Sequence, residues 1–228
     1  MPESLNMGFL YFPGFQWLDA VGPVDLLNNH SHQYLSQIDG VPKTVVDKAP
    51  SMNWHYISSD LKPVQASCGP PQQPSTTYKD CPPLDYIIVP GPHPTAPLPE
   101  GCIEFLQQRY ADPHLKAFLL VCTSSIAISQ AGIMDGHKAC SNKWVLRELA
   151  KAGVLTNKVE WVGDRRWIVD GKIWSAAGIT AGMDLAVEFA KKHFDEEVVQ
   201  TALELSEYTP LPDKPDAFAY ILEGVDLA

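Results

Sequence analysis

The stretch Phe118-Leu119-Leu120-Val121-Cys122-Thr123-Ser124-Ser125-Ile126-Ala127 decides how the chain is read. An apolar strand, predicted over 117–121, runs into a single cysteine. A helix of small residues is predicted directly behind it, from about 124 to 132, with Gly132 as its stop. That layout presents a nucleophile on a sharp strand-to-helix turn; with serine in the same place it is the nucleophile elbow. A thiol there faces the positive end of a helix, which is expected to lower its pKa and favour the thiolate. The competing reading is a small buried hydrophobe, the usual role of a cysteine.

The pattern continues on both sides. Met7 to Phe12 reads as a buried strand closed by Pro13-Gly14, and Asp85 to Val89 as a central strand closed by Pro90-Gly91. A helix is expected from Asp19 to Asn29, with Pro23 in its first turn. Thr44 to Val46 and Trp54 to Ser58 read as strands, and residues 63–83, rich in Pro, Gln, Ser and Thr, as a loop with little structure. Glu100 to Tyr110 is amphipathic with Ile103, Phe105 and Leu106 inward, and Asn142 to Ala152 is a further helix. Asp170-Gly171 marks a hairpin between strands at 166–169 and 172–174. Helices follow at 180–194 and 196–206, and residues 207–228 read as an arm. Strands alternating with helices imply one α/β domain over 1–228, with its core at about 7–206 and a mostly parallel sheet covered on both faces.

Bulk properties narrow the function. The 228 residues are 45% hydrophobic and 19% charged, an ordinary globular balance. The net charge of −10 argues against nucleic acid as a partner and leaves a small molecule as the expected ligand. The five cysteines form no CxxC pair, and the histidines have no metal-ligand spacing, so no metal site is expected. The N-terminus lacks a secretory pattern and no run approaches the roughly 20 apolar residues of a membrane span. A cytoplasmic setting is the expectation.

Four segments together resemble the ThiJ/PfpI superfamily, and within it the isocyanide hydratase branch. They are Tyr11-Phe12-Pro13-Gly14-Phe15 with Leu18-Asp19-Ala20-Val21-Gly22-Pro23; Asp85 to Gly91; Val121 to Ser125 continuing to Ala131-Gly132-Ile133-Met134-Asp135-Gly136; and Trp174-Ser175-Ala176-Ala177-Gly178-Ile179-Thr180-Ala181-Gly182-Met183-Asp184-Leu185. Glu196-Glu197-Val198 and Glu207-Tyr208-Thr209-Pro210 extend the match. The resemblance implies a flavodoxin-like three-layer α/β/α sandwich of the glutamine amidotransferase class I-like type, and a homodimer. It places Cys122 as nucleophile and Asp19 as its acidic partner, with Thr123, Gly91, Gly178 and Asn142 around substrate or oxyanion. The implied chemistry is attack of Cys122 on an isocyanide carbon to give a thioimidate. Asp19 acts first as acid toward carbon and then as base for water, and an N-formamide leaves with no metal or organic cofactor.

Two departures bear on the reaction. Where many relatives carry a second glycine after Pro90, this chain has Pro92, which lacks an N–H. Where a histidine is expected after the cysteine helix stands Asn142, which counts against a Cys–His dyad and a protease. A glyoxalase-like or lyase step on a carbonyl compound, a cyclisation in secondary metabolism, and a redox sensor at Cys122 remain alternatives. The AraC-type regulators that share the domain are not expected, since no helix-turn-helix is read and the charge is acidic.

Single residues have plainer readings. Asp19 and Asn142 could each cap a helix, and Thr123 and Ser124 could satisfy helix N–H groups, the preferred reading for Ser124. Cys140 reads as core, His93 as a solvated loop residue, and Trp17, Trp144 and Trp174 as packing residues or the lining of an apolar pocket.

Overall fold

The computed structural model describes residues 3–227. In chain order these form β1 (Ser4–Leu10), α1 (Trp17–Asn28), α2 (His32–Leu35), α3 (Lys43–Val46), β2 (Ser51–Ser58), β3 (Thr76–Thr77) and β4 (Tyr86–Val89). Then come α4 (Cys102–Ala111), β5 (Ala117–Leu120), α5 (Ser124–Ile128), β6 (Lys138–Ala139), α6 (Lys143–Lys151) and β7 (Glu160–Trp161). The hairpin β8 (Trp167–Asp170) and β9 (Ile173–Ala176) leads to α7 (Ala181–His193) and α8 (Glu196–Ser206). The main sheet runs β3-β2-β1-β4-β5-β9-β8, parallel throughout except for β8, which pairs antiparallel with β9.

Period-two alternation along the strands builds the two apolar layers. Met7, Phe9, Tyr86, Ile88, Leu119 and Trp174 point to one face and pack with Ala20 and Leu27 of α1 and Leu185 and Phe189 of α7. Leu10, Ile87, Val89, Phe118, Leu120 and Ile173 point to the other and pack with Phe105 and Leu106 of α4, Ile128 of α5 and Leu146 of α6. The result is the expected flavodoxin-like α/β/α arrangement. The carboxyl ends of β1, β4, β5 and β9 meet at one edge, where open α/β sheets hold their ligands.

Several local expectations are corrected. Residues 44–46 lie in α3, not a strand: Pro42 is the N-cap, and its carbonyl accepts from Val45 N at 2.9 Å and Val46 N at 3.2 Å. Helix α1 starts at Trp17, so Pro23 sits inside it rather than in the first turn. Residues 63–83 are mostly loop as read, with two additions: Val64 bridges Gln72, and Thr76 and Thr77 form the edge strand β3 against Ile57 and Ser58. In α4 the inward residues are Cys102, Phe105 and Leu106, while Ile103 is exposed. Helix α5 is α-helical only to Ile128 and continues as a 3₁₀ turn, Ser129–Ala131, up to Gly132. The small sheet of β6 and β7 was not expected. Trp174 is core, Trp144 is mostly exposed, and Cys140 is buried as read.

The arm is bolted down rather than loose. The buried carboxylate Asp184 of α7 accepts from Tyr208 Oη at 2.5 Å, Leu211 N at 2.8 Å and Arg166 Nε at 2.5 Å. Further along, Asp213 pairs with Arg165, Lys214 with Asp164, and Asp216 with Lys143, the last pair almost wholly buried.

Candidate active site

Cys122 ends β5 in a strained turn. Its φ is 59°, a left-handed conformation that costs a non-glycine residue about 1–2 kcal/mol. Backbone bonds on both sides hold it there: Cys122 N donates to Ala177 O at 3.0 Å, and Ser141 Oγ donates to Cys122 O at 2.7 Å. The 140–142 segment is itself tied to the elbow, because Ser125 Oγ donates to Cys140 O at 2.8 Å and Cys140 N donates to Ser175 Oγ at 2.9 Å. The sulfur is therefore fixed by strands β5 and β9 and by the chain entering α6.

Asp19 comes from the first turn of α1 and is completely buried. It does not cap its helix; Gln16 holds that position and no side chain caps there. Instead Asp19 Oδ2 accepts the N–H of Gly91 at 2.9 Å, and Oδ1 has no hydrogen-bond partner among the described residues. Burial pushes the carboxyl up to about 7, with the Gly91 N–H and the Cys122 thiol pulling it back. Gly91 is required at this point. A Cβ would stand 2.5 Å from Thr123 Oγ1 and 2.8 Å from Asp19 Oδ2. Two helices must also come close to bring acid and thiol together: a Cβ on Gly182 of α7 would meet Val121 Cγ1 at 2.5 Å and Pro23 Cγ at 3.3 Å.

The thiol differs from the sequence expectation in two ways. It is recessed, with Cys122 only 6% exposed. Its pKa is raised to about 11, first by burial and then by the Asp19 charge, while the backbone N–H of Ile179, the amide of Asn142 and the N–H of Thr123 oppose the rise. The five-residue helix α5 does not offset the loss of water. The resting site is thus a protonated thiol beside a carboxyl that exchanges its proton near neutrality.

The remaining site residues separate by what they touch. Asn142 caps its helix as read, Oδ1 accepting from Val145 N at 3.2 Å, and its Nδ2 lies 3.6 Å from Cys122 Sγ. Thr123 is adjacent, but its hydroxyl donates to Pro92 O at 2.6 Å, so only its N–H faces the sulfur. Gly91 uses its N–H on Asp19 and has none to offer an oxyanion. Gly178 packs against Asn142, with a built Cβ 3.1 Å from Nδ2, while the donor toward the sulfur is the next residue, Ile179, at φ 32°. Ser124 Oγ, expected to serve a helix N–H, has no hydrogen-bond partner among the described residues. His93 lies on the exposed loop as read. No histidine is among the groups acting on Cys122. Ser141 and Ile179 were not singled out from sequence. Ile179 lay inside the matching fourth segment, but its backbone geometry has no residue-type signal.

The cavities against α1 include two that differ in their relation to the thiol. One of about 260 Å³ is walled by Phe9, Tyr11, Trp17 and Tyr56, and none of the thiol's neighbours lines it. The other, about 460 Å³, is lined by Asn142, Gly178 and Ile179 beside the thiol, with Leu18, Trp144, Phe218 and Ile221 farther out. The second is lined by two groups that act on the sulfur, Asn142 and Ile179. Among the described residues no cluster of three or more His, Cys, Asp or Glu could hold a metal, and no helix is long and apolar enough to cross a membrane.

Comparison with known proteins gives the family and the fold. The profile of the DJ-1/PfpI family matches residues 7–192. An isonitrile hydratase of Pseudomonas putida is 31% identical over 212 residues, covering 92% of this chain and 81% of that protein. The HTH-type transcriptional regulator GbdR of Pseudomonas aeruginosa is 28% identical over 220 residues, 94% of this chain but 53% of the regulator. Among solved structures, a ThiJ/PfpI family protein from Pseudomonas syringae superposes with a TM-score of 0.69 at 23% identity, covering 92% of this chain and 78% of that one. Drosophila melanogaster DJ-1beta gives 0.65 at 14%, covering 92% and 100%.

Proposed function

The chain belongs to the DJ-1/PfpI family, and from that premise we propose that it hydrates isocyanides to N-formamides, with Cys122 as nucleophile and Asp19 as proton carrier. The observation that carries this reading is the pairing of a recessed thiol with a buried carboxyl of pKa about 7, without a histidine among the groups acting on the sulfur. An isocyanide is a narrow rod with its reactive carbon at the tip, so it reaches a thiol that a bulky carbonyl group could not approach.

The steps balance with water alone. Ionised Asp19 takes the thiol proton as sulfur bonds to the terminal carbon, then delivers that proton to the same carbon. The product is a thioimidate, R–N=CH–S, on Cys122. Asp19, again ionised, removes a proton from water as the oxygen adds to the C=N carbon, and passes that proton to nitrogen. As the C–S bond breaks, Asp19 takes the proton of the new hydroxyl and returns it to sulfur, and the formamide leaves. Negative charge on the departing sulfur is met by Asn142 Nδ2 and the N–H groups of Ile179 and Thr123.

The test is incubation of wild type, Cys122→Ala and Asp19→Asn with an aryl and an alkyl isocyanide, with formamide followed by mass spectrometry. Formamide from wild type with loss in both variants is the expected result. Formamide from Cys122→Ala at the wild-type rate would overturn the reading.

A further inference from the structure

The cavity beside the thiol is built from two parts of the chain with different properties. Its inner end belongs to the sheet edge: Asn142, Gly178 and Ile179. Its outer wall is apolar and includes Phe218 and Ile221, which belong to the arm. Charged groups at its margin are already engaged. Lys143 is paired with Asp216, their side chains 4% and 2% exposed, and Arg166 is held by Asp184 and by Thr180 Oγ1 at 3.0 Å. A cavity whose charges are internally matched and whose wall is aromatic and aliphatic favours an uncharged apolar guest.

We infer that the C-terminal arm is the specificity-determining element of this site: Phe218 and Ile221, with Trp144 of α6, bind a bulky neutral substituent, aryl or cycloalkyl, on the substrate. The inference takes the isocyanide only as the reacting group; the arm's selection concerns what is attached to it. The arm can act as a fixed wall because Asp213, Lys214 and Asp216 each pair with a residue of the folded body. Phe218 is itself 53% exposed, so its role in the hydrophobic layers is slight and its truncation leaves the fold in place.

The experiment measures kcat/KM for cyclohexyl and for methyl isocyanide in wild type, Phe218→Ala and Ile221→Ala, with thermal unfolding as the check on folding. The expected result is a drop of about tenfold in the cyclohexyl-to-methyl ratio for each variant, the size of effect that lost apolar contacts give in a hydrophobic pocket. A parallel measurement does not depend on the reaction: alkylation of Cys122 by 2-iodo-N-phenylacetamide and by iodoacetamide, resolved by peptide mass spectrometry. The ratio of those two rates should fall in the same variants. Ratios unchanged in both measurements would overturn the inference. A shifted alkylation ratio, with no isocyanide turned over by wild type, would uphold the arm as selector and overturn the hydratase reading.

Discussion

Two carboxyl groups are buried at comparable depth on the facing helices α1 and α7, and their surroundings differ sharply. Asp184 is saturated: Arg166, Tyr208 and the backbone of Leu211 all donate to it. Asp19 receives one N–H beside the thiol, and its other oxygen has no partner among the described residues. A buried charge that is fully paired fastens structure, and here it fastens the arm. A buried acid that lacks partners holds its proton into the neutral range and can trade it. The same residue type therefore makes a joint in one place and, in the proposed reaction, a proton carrier in the other, and the difference lies in the donors that surround it.

Exchange of the sulfur should give the largest effect at the incomplete site. Cys122→Ala is expected to lower isocyanide turnover by at least about 10³-fold, read as formamide formed per enzyme. Asp19→Asn should lower kcat/KM by about 10²–10⁴-fold, the range of a lost general acid–base group. In wild type, kcat/KM should rise with pH through about 7, because only the ionised carboxyl accepts the thiol proton, and that limb should vanish in Asp19→Asn.

The two carboxyls should part most clearly in stability. Asp184→Asn leaves the buried Arg166 guanidinium unpaired and should cost about 3–5 kcal/mol by denaturant unfolding. Asp19→Asn should do the reverse. The folded-state pKa of Asp19 lies above its unfolded value, so burial favours the folded state fully only below about 4 and penalises it as pH rises through 7. The variant should gain about 2–4 kcal/mol over wild type at pH 8, and the gain should fade as pH drops from 7 to 4. Equal destabilisation by both substitutions would erase the contrast. Asn142→Ala should have the smallest effect, removing a contact to sulfur and a helix cap together: about tenfold in kcat and about 1 kcal/mol of stability.

Where the sequence was readable, short-range chemistry decided the outcome. Apolar runs closed by Pro90-Gly91 or entering Cys122 fix strand ends locally, and Asp170-Gly171 fixes the hairpin. Cys122 and Asp19 stand out because their segments match a family pattern, and the fold brings them together. What failed was set at long range. The Gly91 N–H that Asp19 accepts comes from 72 residues away, and no local pattern announces it. The thiol's pKa follows burial that no helix at 124–128 reveals. Residues 44–46 are β-branched enough to read as a strand, yet they lie in a short helix whose Val45 packs against Leu35 and Val198. The place of Ile179 depends on a backbone angle, which side-chain identity does not encode.

The outer wall of the cavity has one further consequence. Phe218 and Ile221 lie outside both apolar layers, whereas Cys122 is locked between β5 and β9. On the reading proposed above, reactivity and selectivity lie in separate stretches of the chain, one inside the sheet and one outside its apolar layers. Substitutions in the arm should therefore change which ligands the cavity takes while leaving the sheet that holds Cys122 intact.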